Sequence, residues 1–170
     1  MREIKVFMVC EGADPVVVRG AIGVYEAMRE ELSGLDREVF YTICLSARNE
    51  IIGRHLMSIG SLTGATVHPR ETFKPAIAPE VTEVPDLTEE KREIYRKAIR
   101  NNAAAVIFVH THPSGNPAPS TEDIQITKQL VEAGKTLGIR VLDHLIIASG
   151  QDYGAETEKS YFSFADEGLL

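Results

Sequence analysis

The segment Ala103–Val109 constrains the fold of this chain more than any other, because its seven residues form an apolar run. Such a run is typical of a central β-strand that is buried on both faces. Both faces of the sheet must then be covered, and the alternation of helical and extended patterns along the chain supplies the helices. We therefore predict an α/β or α+β sandwich.

The other elements follow from hydrophobic periodicity, capping residues and turn residues. In chain order we predict a helix over Asp14–Leu32, strands over Glu38–Leu45, Ile51–Ile59 and Ala65–His68, helices over Pro69–Ile77 and Glu89–Asn101, a helix from Ser120 to Gly134 or Gly138, and a strand over Ile139–Ala148. The apolar face of the first helix is expected to contain Val17, Ile22, Tyr25, Ala27 and Met28. No linker divides the 170 residues, so we expect one domain, with a strand and a helix within residues 1–37.

The chain is acidic, with a formal net charge of -7 and an isoelectric point near 5.3. An acidic protein repels the phosphate backbone, which argues against a general duplex-binding role. The sequence has neither a cleavable signal pattern nor the roughly 20 apolar residues of a membrane span, so we expect a soluble cytoplasmic protein without a membrane partner. Cys10 and Cys44 stand in apolar contexts without metal-ligand spacing, which indicates buried reduced thiols.

Two histidines follow the apolar run and are two residues apart. On an extended segment His110 and His112 project from the same face, so two ring nitrogens can converge. Asp123, one turn inside the next predicted helix, can add a carboxylate oxygen and complete the three protein ligands of a hydrolytic zinc site with an open water position. A base must take the proton of that water, and Glu38 on a neighbouring predicted strand is the best placed carboxylate.

Part of this pattern also has an explanation without a metal. Ser120 and Asp123 have the spacing of an N-terminal helix capping box, and a cap worth about 1 kcal/mol accounts for both residues. The two roles are compatible, because a capping Asp is held rigidly and a Ser hydroxyl there can face an oxyanion. Glu50 and Glu11 are alternative bases in less suitable positions. His144 is either a histidine in the core or behind the ligands, or a competing ligand.

The order of these residues resembles the motif of a known metallopeptidase family. A Glu, then H-x-H, seven residues, Ser, two residues and Asp resembles the JAMM motif of the JAB/MPN metallopeptidases, among which RadC is the most similar. Further stretches that resemble RadC segments in the same order are Glu38-Val39-Phe40, Gly60-Ser61-Leu62-Thr63-Gly64, Val67-His68-Pro69-Arg70-Glu71, Asn102-Ala103-Ala104-Ala105, His112-Pro113-Ser114-Gly115 and Leu142-Asp143-His144. The resemblance runs from about Glu38 to the end of the chain, with one interruption.

The resemblance implies a JAB/MPN fold like that of cytidine deaminases, with a central mixed β-sheet flanked by helices. It also implies that His110, His112 and Asp123 bind Zn²⁺, that Glu38 is the general base and that Ser120 stabilises the oxyanion. The implied reaction is hydrolysis of a peptide or isopeptide bond without a covalent intermediate. The implied substrate is a protein or peptide, such as a protein tail or a ubiquitin-like conjugate.

Two features depart from the RadC pattern. Long RadC proteins carry an N-terminal helix-hairpin-helix region suited to DNA, and we expect none here because 37 residues precede Glu38. The segment Ala78–Tyr95 interrupts a stretch that is almost continuous in typical RadC chains. An insertion in roughly this place helps eukaryotic-type JAMM deubiquitinases to grip ubiquitin, so we predict either a substrate-binding or gating element or a solvated excursion.

Three functions are consistent with the sequence. The leading one is a zinc-dependent peptidase or isopeptidase, because the ligand set and the candidate base are both present. The second is a RadC-type DNA-repair-associated or nucleic-acid-processing factor, which the acidic charge disfavours. The third is a metal-stabilised interaction module without turnover, and the sequence leaves a homodimer open.

Overall fold

The computed structural model describes residues 16–33, 35–60, 67–77, 103–149 and 160–170. These residues form a five-stranded sheet with helices on both faces, which confirms the predicted architecture. The elements are α1 (Gly20–Leu32), β1 (Val39–Leu45), β2 (Ile51–Ile59), α2 (Pro69–Ile77), β3 (Ala105–His112), α3 (Thr121–Leu137), β4 (Arg140–Ala148) and β5 (Tyr161–Ser163). Within the described ranges, no helix has the length and apolar character needed to cross a bilayer.

Strand β3 occupies the centre of the sheet, whose strand order is β2-β1-β3-β4-β5. It pairs antiparallel with β1 and parallel with β4, and α3 forms the crossover that a parallel pair requires. The sheet is therefore mixed, as predicted. Because β3 and β4 are parallel, their carboxyl ends lie side by side, next to the start of the antiparallel strand β1. Side chains from three strands can meet at this edge.

Alternate strand residues face opposite layers, so the sheet separates two apolar cores. The core between the sheet and α1 includes Val24, Met28, Leu32, Tyr41, Ile43, Ile107, Val109 and Leu145. The core between the sheet and the helices α2 and α3 includes Phe40, Phe73, Val106, Phe108 and Leu130. The free thiol of Cys44 is buried on this second side, as predicted, and burial raises its pKa to about 12.

A buried carboxylate ties the end of the described chain to β4. Asp143 accepts hydrogen bonds from the backbone N–H groups of His144 (2.7 Å) and Ala165 (3.0 Å), and from the hydroxyl of Ser163 (2.6 Å). Burial raises the pKa of Asp143, and these three bonds oppose that shift only in part. Strand β5, which the sequence analysis did not predict, is held here; its three residues are too few to show a period.

Most predicted boundaries are confirmed to within one residue. Both ends of β2 and α2 agree with the prediction, and β1 and β4 each begin one residue later than predicted. Helix α3 has Ser120 as its N-cap and ends at Leu137, where Gly138, with a φ of 71°, provides a left-handed C-cap. In α3 the capping and stop residues therefore predicted both ends of the helix.

The predicted start of α1 is wrong. We expected the helix to begin at Asp14, which lies outside the described residues, but the observed helix begins at Gly20. The preceding residues bond to the β1–β2 connection instead: Val16 accepts a hydrogen bond from the N–H of Ile51, and Val18 donates one to a turn carbonyl, both at 2.9 Å. Sheet pairing satisfies this backbone, so it does not enter the helix.

The predicted apolar face of α1 is also only partly correct. The buried residues are Ala21, Val24, Met28 and Leu32, whose spacings of three and four define one helical stripe. Ile22 is 50% exposed, and Val17 lies outside the helix and is 44% exposed.

Strand β3 is longer than predicted at its carboxyl end. We expected Ala103–Val109, whereas the strand covers Ala105–His112 and includes both histidines. The pairing explains the extension, because His110 still pairs with β1 and β3 pairs with β4 as far as His112. The histidines are therefore strand residues rather than loop residues.

Several predictions fall wholly or partly outside the described residues. These are the strand within residues 1–37, the helix Glu89–Asn101, the insertion Ala78–Tyr95, and the first half of the strand Ala65–His68. Of that last strand, Val67 and His68 are described and have no strand structure.

Candidate metal centre

The two histidines predicted as ligands lie side by side near the end of β3. Because His110 and His112 are two residues apart on a strand, both side chains face the layer of α2 and α3. Their Nε2 atoms are 3.0 Å apart. The side chain of His110 is 1% exposed and that of His112 is 15% exposed, so the pair is open to solvent on the His112 side.

Helix α3 brings the third predicted ligand to this pair. Asp123 Oδ1 lies 3.3 Å from His110 Nε2, and Oδ2 lies 3.4 Å from His112 Nε2. The carboxylate is held by a capping box, since Oδ2 accepts hydrogen bonds from the N–H and the hydroxyl of Ser120, both at 2.7 Å. Asp123 is thus both a cap and a neighbour of the histidines, and the two explanations given by the sequence coexist.

The spacing of the three side chains fits a small divalent cation. Two ligands bonded to zinc at about 2.0–2.1 Å with a tetrahedral angle are about 3.3–3.4 Å apart. The observed separations are 3.0 Å between the two Nε2 atoms and 3.3 and 3.4 Å from these atoms to the carboxylate. One ligand atom from each of the three residues lies within 4.8 Å of the others. His110, His112 and Asp123 could therefore hold a metal ion, and two imidazoles with one carboxylate suit zinc.

The hydrogen bond behind His112 orients its ring toward the same point. Its Nδ1 lies 2.9 Å from the backbone carbonyl of Asn116, which can only accept, so Nδ1 carries the hydrogen. In the neutral ring, Nε2 then has a free lone pair directed at the cluster. The Nε2 lone pair and the buried carboxylate both donate electron pairs, and a cation between them would neutralise the charge and accept both.

The electrostatics of the cluster favour a bound cation. Burial lowers the pKa of His110, and the hydrogen bond that its protonated ring would donate to Asp123 opposes only part of that shift. In His112 the effect of burial is outweighed by hydrogen bonds to Asp123 and to the carbonyl of Asn116, so its pKa is raised. Burial acts to raise the pKa of Asp123, but hydrogen bonds with the two histidines and Ser120 hold it well below its usual range. A negative charge is therefore present at neutral pH.

The candidate base Glu38 precedes β1 by one residue, at the same edge of the sheet. Phe40 pairs with His110, so continuing this antiparallel register sets Glu38 opposite His112. Its carbonyl accepts a hydrogen bond of 2.8 Å from the N–H of Gly60, which anchors this position to β2. The charge of Glu38 also acts on both histidines. Its role as a base stays a prediction.

Among the described residues, the alternative base Glu50 and two further histidines lie away from this cluster. Glu50 follows β1 and bonds to Ser46, so the length of β1, about 20 Å at 3.3 Å per residue, separates it from the histidines. Glu11 lies outside the described residues. His55 is buried on β2, and His68 lies beside α2; neither belongs to the cluster.

Two polar residues lie behind the ligands. His144 on β4 is not part of the ligand cluster, and its Nε2 is 2.8 Å from His110 Nδ1, which confirms a position behind the ligands. The hydroxyl of Thr127 is hydrogen-bonded to the other ring nitrogen of His144, Nδ1, at 2.6 Å. Sequence reasoning missed Thr127, and its only signal was the spacing of four residues from Asp123 on one helix.

Comparison with known proteins identifies the family of this chain. A sequence model of the family described as "RadC-like JAB domain" matches residues 18–84 and 82–169. A UPF0758 protein of Trichlorobacter lovleyi is 42% identical over 147 residues, which cover 86% of this chain and 50% of that protein. UPF0758 proteins of Caldanaerobacter subterraneus subsp. tengcongensis and Methanosarcina barkeri are 41% and 39% identical, over 83% and 86% of this chain and 51% of each relative. The chain thus spans about half the length of the curated relatives it matches.

Proposed function

The chain belongs to the RadC-like JAB domain family, and on this premise we propose that it is a zinc-dependent hydrolase of peptide or isopeptide bonds. The observation that carries the proposal is the convergence of His110, His112 and Asp123 at separations that suit a tetrahedral ion. The 15% exposure of His112 supports a substrate path to the site from the side of the loop that follows β3.

A zinc ion bound here would supply Lewis-acid polarisation of the scissile carbonyl and a water of lowered pKa. The chain's own residues would complete the reaction. Glu38 takes a proton from the attacking water and delivers it to the leaving amine. The hydroxyl of Ser120 donates to the oxygen that becomes negative.

The capping box is compatible with this role of Ser120. Its hydroxyl accepts a hydrogen bond of 3.1 Å from the N–H of Asp123 and donates to the carboxylate of the same residue. When the hydroxyl proton turns toward substrate, the carboxylate keeps the hydrogen bond from the N–H of Ser120. The helix cap is therefore retained during the reaction.

We expect substrates that present an extended segment, such as a protein tail or the conjugated end of a ubiquitin-like protein. The test is metal analysis of the purified chain together with a chelator-controlled hydrolysis screen over peptides and ubiquitin-like fusions. Stoichiometric zinc with chelator-sensitive hydrolysis is the expected result. Bound zinc without hydrolysis of any substrate would favour a non-catalytic module, and absence of zinc binding would remove the proposal.

The role of Glu38 is tested with the isosteric variant Glu38→Gln. Loss of a general base typically lowers the rate by about 10²–10⁴-fold, while zinc content should be unchanged because Glu38 is not a proposed ligand. Glu50→Gln is the matched control, since it removes the same charge at the other end of β1 and should leave the rate unchanged. Equal rates in the two variants would exclude Glu38 as the base.

A further inference from the structure

A continuous chain of three hydrogen bonds runs behind the candidate metal ligands. His110 Nδ1 is 2.8 Å from His144 Nε2, and His144 Nδ1 is 2.6 Å from the hydroxyl oxygen of Thr127. That hydroxyl is in turn 2.6 Å from the backbone carbonyl of Asp123. The series therefore starts at one candidate ligand and ends on the backbone of another, and all four residues are no more than 1% exposed.

The carbonyl at the end of the series fixes the direction of every bond in it. A carbonyl can only accept, so Thr127 uses its single hydroxyl proton on Asp123 and must accept from His144. His144 therefore carries its hydrogen on Nδ1 and, when neutral, has a lone pair on Nε2. That lone pair accepts from Nδ1–H of His110, which leaves Nε2 of His110 bare and directed at the cluster.

Aromatic rings surround His144 and favour the tautomer with hydrogen on Nδ1. Its ring stacks on Phe164, with centroids 5.1 Å apart, and meets Phe108 edge-on at 6.2 Å. Phe40 lies 5.5 Å away on centroid distance. These rings offer no competing acceptor for the ring N–H, so the tautomer of His144 depends on the hydroxyl of Thr127.

We propose that Thr127 and His144 are positioning residues that hold His110 in the tautomer with a bare Nε2 and fix helix α3 against β3 and β4. Both effects organise the site before a metal arrives, since the hydrogen bonds set the ring orientation of one ligand and the backbone position of another. The expected effect on zinc affinity rests on the proposed metal site. The tautomers themselves are a property of the metal-free chain.

Two substitutions of Thr127 separate this role from simple packing. Thr127→Val keeps the shape of the side chain and removes the hydroxyl, whereas Thr127→Ser keeps the hydroxyl and removes a buried methyl group. We expect Thr127→Val to bind zinc about 10–100-fold more weakly, as is typical when a hydrogen-bond partner of a metal ligand is lost. Thr127→Ser should have a lower Tm but the zinc affinity of the wild-type chain.

The experiment measures zinc affinity by chelator competition in the full 170-residue chain and in both variants. It also records ¹⁵N-detected imidazole spectra of the metal-free wild-type chain at a pH where the rings are neutral. Hydrogen on Nδ1 of both His110 and His144 is the expected tautomer. Hydrogen on Nε2 of His110, or equal zinc affinity in Thr127→Val and the wild type, would overturn the inference. If the wild-type chain binds no zinc, the proposed function fails, but the spectra still show whether His110 and His144 have the inferred tautomers.

Discussion

Replacing Asp123 with asparagine separates its two roles, because the substitution keeps the cap and removes the charge. The amide oxygen can occupy the position of Oδ2 and accept both hydrogen bonds from Ser120. The amide nitrogen then stands in the position of Oδ1, 3.3 Å from Nε2 of His110, and can donate to it. We therefore expect the metal-free stability of Asp123→Asn to lie within about 1 kcal/mol of the wild type.

The effect on zinc binding should be much larger than the effect on the cap. A ligand present at about 1,000 times its Kd stabilises a protein by about 4.1 kcal/mol. For a chain of this size, each kcal/mol shifts Tm by about 2–4 °C, so saturating zinc should raise the Tm of the wild type by roughly 8–16 °C. Asp123→Asn loses an anionic ligand at the ion, and its zinc-dependent rise should be less than about 2 °C.

Thermal unfolding followed by circular dichroism, with chelator and with zinc, measures both quantities. Ser120→Ala is the matched variant, because it removes the capping hydroxyl but no proposed ligand. Loss of this cap should lower Tm by about 2–4 °C with chelator. Because Ser120 also donates a hydrogen bond to Asp123, the zinc-dependent rise should be reduced but should stay above that of Asp123→Asn, since all three proposed ligands remain. A rise in Asp123→Asn equal to that of the wild type would refute the reasoning and leave Asp123 as a cap alone.

Two further predictions concern stability. Burial lowers the pKa of three histidines from 6.5: His55, His110 and His144. Below pH 6.5 the unfolded chain therefore binds protons that the folded metal-free chain resists, and with three such groups stability should fall by up to about 4.1 kcal/mol per unit of decreasing pH. His112, whose pKa is raised, adds no slope in this range because both states bind its proton. Urea unfolding above and below pH 6.5 measures this, and constant stability would contradict it. Gly134→Ala should destabilise by about 1–3 kcal/mol, because the added Cβ would lie 2.6 Å from the carbonyl oxygen of Ile139. In Gly23→Ala the nearest atom is 3.8 Å away, so this control should gain about 0.5–1 kcal/mol, and equal urea midpoints would refute the steric argument.

The parts of the site that depend on local spacing could be predicted from the sequence. The strand period of two aligned His110 with His112, and the capping pattern set Asp123 one turn into α3. Glu38 was chosen because it lies on a neighbouring predicted strand, and the family resemblance supported the choice. Its position opposite His112 depends on the register between β1 and β3, which spacing does not contain. Neither strand period, capping pattern nor family resemblance pointed to Thr127, because its contact with His144 forms only when α3 packs on β4.

The fold shows the same division between local and distant causes. Helix α3 was predicted closely because its cap and its terminal glycine are in the sequence itself. The start of α1 was wrong because the backbone of Val16 and Val18 pairs with a connection more than 30 residues further along the chain. Hydrophobic periodicity cannot reveal such a distant hydrogen-bond partner, since it considers only residues that are close in sequence.

All three candidate ligands lie within one stretch of 14 residues, from His110 to Asp123. Closing so short a loop costs little chain entropy, so the capacity to capture an ion belongs to a single strand-loop-helix unit. The candidate base comes from 72 residues before His110 and reaches the ion only when β1 has joined the sheet. If the proposed function holds, ion capture and hydrolytic competence are therefore acquired separately, and a change that displaces β1 from β3 can abolish the second while sparing the first.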